Sequence, residues 1–145
     1  AIIVTSALVL QGKNGHFSTV DIGVLDLYAG MVHFLKAGAA TTFIKLTNWV
    51  EAISSTCLGL CLVQQIDFET TTKKLYDVDF LIMVTDGVLD ALPVGEQDLL
   101  LETIIQGSTI TKPKAMAHHV LEQVLAWTGR EPADDMKVMA VGIWE

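Results

Sequence analysis

Asp86 closes the unbroken apolar run Phe80-Leu81-Ile82-Met83-Val84 after a single threonine, and Gly87 follows it. Asp134-Asp135 comes just before a second apolar segment, Met136 to Trp144. A buried strand that delivers an acid to its own end holds that acid on a rigid support, which suits a metal ligand or a catalytic carboxylate. The glycine lets the backbone turn there or come close to something. If the two strands are antiparallel neighbours, the end of the first and the start of the second share one sheet edge, and the acids converge. Converging carboxylates raise one another's pKa unless a cation sits between them. Mg²⁺ and Mn²⁺ take such oxygen ligands and keep waters in their shell. Water acidified by these ions is a nucleophile for a phosphate ester. Taken singly, each motif has a plainer reading. Asp-Gly is the strongest short hairpin signal, and Asp134-Asp135 can be a solvated turn.

The remaining candidates carry less chemistry. His118-His119 lies in a helical segment, with His118 read at the border of the apolar stripe and His119 facing away. Adjacent helical residues do not share a face, so this reads as a boundary or solvated pair. His33 is a surface or packing residue of a strand, and His16 belongs to a loop. Ser54-Ser55-Thr56 lacks a nucleophile elbow and a His–Asp set, so a serine hydrolase is unsupported. No glycine loop with a following lysine cradles a phosphate. Cys57 and Cys61 are too far apart for a local disulfide and have no partners at zinc spacing. They read as buried thiols of a reducing compartment.

The elements that must position the acids follow from periodicity. Phe17 to Tyr28 alternates, with Phe17, Thr19, Asp21, Gly23 and Leu25 on one face. Ala29-Gly30 turns the chain, and Met31 to Ala37 returns as a hairpin partner. Thr41 to Leu46 and Trp49 to Ile53 form a second hairpin around Thr47-Asn48. Leu58 to Gln65 reads as a strand, and Ile66 to Leu75 as a threonine-rich, half-exposed edge strand. Gly95-Glu96-Gln97-Asp98 leads a helix through Ile105, with Gly107 as its stop. A second helix follows, with Thr111 as cap and Pro113 in the first turn. Its stripe is Met116, Ala117, Val120, Leu121, Val124 and Leu125. Met136 to Trp144 closes the chain as a strand. Runs of antiparallel strands with segregated helices predict an α+β fold, helices laid over the outer faces of sheets.

Composition limits the function classes. The 145 residues suffice for one domain, 1–145, with a real core. With 51% hydrophobic and 18% charged residues, the chain is globular. No apolar stretch approaches a membrane span, and no signal segment opens the sequence. A net charge of −8 with nine Lys and Arg opposes nucleic-acid binding, a metal-dependent nuclease included.

The motifs taken in order carry a resemblance. They are Phe17-Ser18-Thr19-Val20-Asp21, Leu25-Asp26-Leu27-Tyr28-Ala29-Gly30, Lys36-Ala37-Gly38-Ala39-Ala40, Val84-Thr85-Asp86-Gly87-Val88-Leu89-Asp90, and Asp134-Asp135-Met136 closing on Ala140-Val141-Gly142-Ile143-Trp144-Glu145. Their order resembles the metal-dependent protein serine/threonine phosphatases of the PP2C type, in the bacterial branch of the stage II sporulation phosphatases. The resemblance implies an antiparallel β-sandwich flanked by helices. It implies a binuclear Mn²⁺ or Mg²⁺ centre whose bridging water attacks a phosphoserine in line. Asp86 and Asp134 match metal ligands of the family, and Asp135 holds the second position of the C-terminal acidic motif. The implied substrate is a phosphorylated anti-anti-sigma factor. The implied setting is a cytoplasmic domain of a membrane-anchored parent, with no membrane contact by this piece.

The family's first metal motif, an Asp-Gly-rich hairpin, lies upstream of the region matching Phe17. The resemblance therefore makes this chain the C-terminal part of a catalytic domain, inactive alone, with Ala1 to Leu10 as the end of a helix. Lys137 stands where the family has Thr, and family prolines near Thr41 and Cys57 are replaced. Open sheet edges would favour a homo-oligomer or strand-swapped dimer. The alternative function is a non-catalytic binding or regulatory module of the same fold.

Overall fold

The computed structural model describes residues 2–4, 19–55, 69–129 and 134–144. In chain order the described elements are β1 (Ile2–Val4), β2 (Val20–Asp26), β3 (Met31–Ala37), β4 (Thr42–Lys45), β5 (Val50–Ile53), β6 (Glu69–Lys74), β7 (Phe80–Val84), α1 (Asp86–Asp90), α2 (Gln97–Gln106), α3 (Pro113–Thr128) and β8 (Val138–Gly142). The chain divides into two compact units, Ala1–Ala39 with Ser54–Tyr76, and Ala40–Ile53 with Asp77–Glu145.

The first unit is an antiparallel sheet of order β1-β2-β3-β6. The alternation read from the sequence holds in β2, where Asp21, Gly23 and Leu25 are buried and their neighbours half-buried. The β2–β3 hairpin turns on Asp26. Its carboxylate accepts the Tyr28 N–H at 2.9 Å and the Ala29 N–H at 3.1 Å, and Gly30 closes the turn at φ 62°. These two amides, Ala29's first, hold the Asp26 carboxyl below its ordinary range. Deeper in the unit, the Lys36 ammonium donates to Asp21 Oδ2 at 2.6 Å, with both side chains buried. The threonine-rich β6 is the outermost strand of this sheet, alternately exposed, as its composition predicts. The helix end expected at Ala1 to Leu10 is corrected over residues 2–4. Ile2-Ile3-Val4 is a strand paired with Leu25-Val24-Gly23, as a run of β-branched residues favours.

The second unit is an antiparallel sheet of order β5-β4-β7-β8 with the helices against it. All five residues of β7 are buried, which its uninterrupted apolar run requires. Phe80, Ile82 and Val84 of β7 join Phe43 of β4 in one core with Val88 of α1, Leu101 and Ile105 of α2, and Met116, Val120 and Val124 of α3. Of the apolar stripe read along α3, the row 116, 120, 124 is buried, whereas Leu125 is exposed. The cap of α3 is Lys112 in extended conformation, not Thr111, and Pro113 takes the first helical position. At the far end of β7, Gly142 lies opposite Phe80 and leaves room for the Trp144 indole. That indole meets Phe80 edge-on, centroids 5.9 Å apart at 86°.

Two helices were expected after β7; three are present among the described residues. The added one, α1, is five residues long, too short to be stable by itself. Val88, fully buried, supplies about 1.5–3 kcal/mol of apolar burial that holds it.

Candidate metal centre

The pairing that would bring the acids together is present. β7 and β8 run antiparallel from Phe80 opposite Gly142 to Val84 opposite Val138. The end of β7 and the start of β8 therefore share one edge. Thr85 carries the ladder one residue further. Its N–H donates to the Lys137 carbonyl at 3.1 Å. Its hydroxyl accepts the Lys137 N–H at 3.0 Å and donates to the Asp135 carbonyl at 2.9 Å. A single hydroxyl acts as donor and acceptor at once, a capacity Val or Ala would lack. Thr85 thus clips the backbone of residues 135–137 to the residue just before Asp86.

Gly87 brings the same segments closer. A β-carbon at position 87 would lie 2.5 Å from the Asp135 carbonyl oxygen and 3.1 Å from its carbon. The Asp86-Gly87 step is therefore no hairpin turn. Asp86 opens α1 behind Thr85, which is extended at φ −86° and ψ 161°. The glycine serves close backbone approach, one of the two uses its position allowed.

Asp86 is half-buried at this edge, while Asp134 and Asp135 are exposed. Asp134 Oδ1 accepts the Asp135 N–H at 2.7 Å, which orients the first carboxylate. Asp135 Oδ2 lies 3.9 Å from the Lys137 ammonium, both side chains well exposed. The three sequence-predicted site residues thus stand on two backbone segments in direct contact. Exposed carboxylates on a fixed backbone suit a hard divalent cation, which takes one or two carboxylates and retains several waters. Among the described residues, no three His, Cys, Asp or Glu side chains group closely enough to hold a metal ion.

The histidines are placed elsewhere. His118, expected at the border of the α3 stripe, is on the exposed side and pairs with Glu122 at 3.2 Å. His119 is the half-buried one, because it follows Met116 by three residues on the packed face. His33 Nδ1 shares a hydrogen bond with Thr72 Oγ1 at 2.9 Å on the exposed sheet face, the surface one of the two roles expected of it. Cys57, Cys61, His16 and the strand expected over Leu58 to Gln65 lie outside the described residues. Sequence reasoning gave Thr85 no role; a hydroxyl placed between a buried strand and an acid was the available signal.

The family model of stage II sporulation protein E (SpoIIE) matches residues 4–144. The chain belongs to the SpoIIE family. It is 28% identical over 141 residues to stage II sporulation protein E of Bacillus subtilis, covering 97% of this chain and 17% of that protein. The Priestia megaterium relative is 27% identical over 137 residues, covering 94% and 23%. Among solved structures, the B. subtilis SpoIIE phosphatase domain in a crystal form without domain swapping superposes with a TM-score of 0.79 at 28% identity, covering 95% of this chain and 61% of that one. The PP2C phosphatase domain of the same protein with a fragment of its regulatory domain gives 0.81 at 28% identity, covering 94% and 41%. The manganese-presoaked phosphatase domain gives 0.78 at 27% identity, covering 94% and 61%. The chain thus spans about a fifth of the curated SpoIIE relatives and between 41% and 61% of these structures. Its fold is that of SpoIIE PP2C phosphatase domains, in the α+β class expected from its sequence.

Proposed function

We propose that this chain forms part of the catalytic domain of a metal-dependent protein serine phosphatase. Its substrate is a phosphoserine on a regulatory protein of the anti-anti-sigma type. The observation that supports this reading is the contact between the end of β7 and the segment leading β8, which sets Asp86 beside Asp134-Asp135. Asp86 and Asp134 would hold Mn²⁺ or Mg²⁺, with Asp135 as a further oxygen donor. A cation bound there acidifies water for attack on a phosphate ester. Thr85 fixes the distance between the two backbone segments, and Gly87 keeps them in contact. The exposed setting of Asp134 and Asp135 leaves the edge open to a phosphoserine carried on another protein.

The same reading places the chain in a cytoplasmic domain of a membrane-anchored parent. Among the described residues, no helix is long and apolar enough to cross a membrane. Self-association through outer strands such as β6 would accompany it. The experiment is release of phosphate from a phosphoserine protein by the protein as its gene encodes it, titrated with Mn²⁺. Asp86→Asn and Asp134→Asn are expected to bring turnover to background. Turnover that needs no metal, or that survives Asp86→Asn, would contradict the proposal.

A non-catalytic binding module of the same fold is the second reading. It requires that Mn²⁺ leave the melting temperature unchanged, which a calorimetric titration separates from the first.

A further inference from the structure

We infer that Lys137 binds the substrate's phosphate at the rim of the Asp86–Asp134 site; this rests on the phosphatase reading above. The root of this lysine is fixed. Its N–H and carbonyl are both engaged by Thr85, at 3.0 and 3.1 Å, the residue next to Asp86. Its side chain is 65% exposed, so the ammonium is open to a ligand arriving from solvent. Its recorded ionic contact is Asp135 Oδ2 at 3.9 Å, whose side chain is 89% exposed. An exposed pair at this separation is weak and exchanges readily.

The charge arithmetic gives the ammonium its task. Asp86, Asp134 and Asp135 carry three negative charges at this edge, and a phosphoserine brings about −1.5 to −2 more at neutral pH. An approaching phosphate meets repulsion from the carboxylates unless cations offset them. Lys137 is a compact point charge on a flexible stem, rooted two residues from Asp135 and able to leave it for a phosphate oxygen. Thr85 and Lys137 lie opposite each other beyond Val84 and Val138, so their side chains leave the same face of the ladder. Met136 and Val138 pack on the core of the helices, which leaves Lys137 on the other side. The lysine is thus held off the core and beside Asp135.

The test compares wild type, Lys137→Met and Lys137→Arg in the protein as its gene encodes it. Lys137→Met is expected to raise KM for the phosphoserine protein about fivefold while kcat changes by less than about twofold, the scale of an exposed charge contact. Lys137→Arg is expected to restore KM. Orthophosphate titrated calorimetrically in the presence of Mg²⁺ is expected to bind Lys137→Met more weakly by a similar factor. Unchanged KM and unchanged orthophosphate affinity overturn the assignment. Tighter Mg²⁺ binding in Lys137→Met with unchanged orthophosphate affinity also overturns it, leaving Lys137 as a counter-charge to Asp135. If wild type turns over no phosphoserine protein, the phosphatase reading fails, and the orthophosphate titration still decides the role of Lys137.

Discussion

Gly87 and Asp135 touch through their backbones: a methyl group on Gly87 would stand 2.5 Å from the Asp135 carbonyl oxygen. Neither side of this contact is a flexible side-chain tip that could swing away. Gly87→Ala therefore pushes the Asp134-Asp135 segment off α1. A loss of about 1–3 kcal/mol is expected from the overlap, read from the urea midpoint. Mn²⁺ affinity should fall in parallel. A variant that melts and binds as wild type does would show that the segment has room to retreat.

Thr85→Val keeps the shape of the side chain and removes its hydroxyl. The Lys137 N–H loses its acceptor and the Asp135 carbonyl loses a donor. The expected cost is about 1–3 kcal/mol, the penalty for stranding partly buried polar groups. Thr85→Ser retains both hydrogen bonds and should recover most of it. A loss confined to Thr85→Ser, with Thr85→Val as stable as wild type, would point to the methyl group instead.

That Asp86 follows one strand and Asp134-Asp135 precede another was legible in the sequence because strands write their ends plainly. The run Phe80 to Val84 reads as a buried strand, and Met136 to Trp144 as a closing strand. The adjacency was conditional until the register put Val84 opposite Val138. What could not be read was α1. Five residues beginning Asp-Gly have no helical period to display, and it takes the burial of Val88 to make a helix of them. The assignment of His118 and His119 to the two sides of α3 failed for a related reason. The stripe was read over six residues, while packing buries Met116, Val120 and Val124, leaves Ala117 and Leu121 half-buried and exposes Leu125. Placing His119 three residues after Met116 then reverses the pair.

The buried ion pair of the first unit gives a stability prediction independent of the site. Lys36 and Asp21 meet at 2.6 Å with side chains 3% and 10% exposed. Lys36→Met removes the ammonium 2.6 Å from the buried Asp21 carboxylate and should cost about 3–5 kcal/mol. Asp21→Leu combined with Lys36→Met should regain most of that loss, since an apolar pair of similar volume replaces both charges. Urea unfolding of both variants decides it; a double variant as unstable as the single one would mean that packing, not charge, dominates there.

Asp26 sets an acid-side dependence. Hydrogen bonds from the Ala29 and Tyr28 amides lower its pKa from 3.8 in the folded chain. A depressed folded pKa means that the contribution is present above 3.8 and is lost as pH falls through the lower folded value. Asp26→Ala should therefore melt below wild type at neutral pH, with the gap closing as the solution is acidified through that window. Thermal melts across the acid range test this, and a gap independent of pH would rule it out.

β8 is the outermost strand of its sheet as described, and each of its five residues is only half-buried. It nonetheless carries the second acid pair, and the Thr85–Asp135 bond spans 50 positions of chain. An outermost strand is expected to open by local fluctuation before the whole unit unfolds. Each opening separates Asp134-Asp135 from Asp86 while the rest of the sheet stays intact. The time the Asp134-Asp135 segment spends beside Thr85 and Gly87 is therefore the docking lifetime of the last strand, a quantity measurable as amide exchange at Val138 to Gly142.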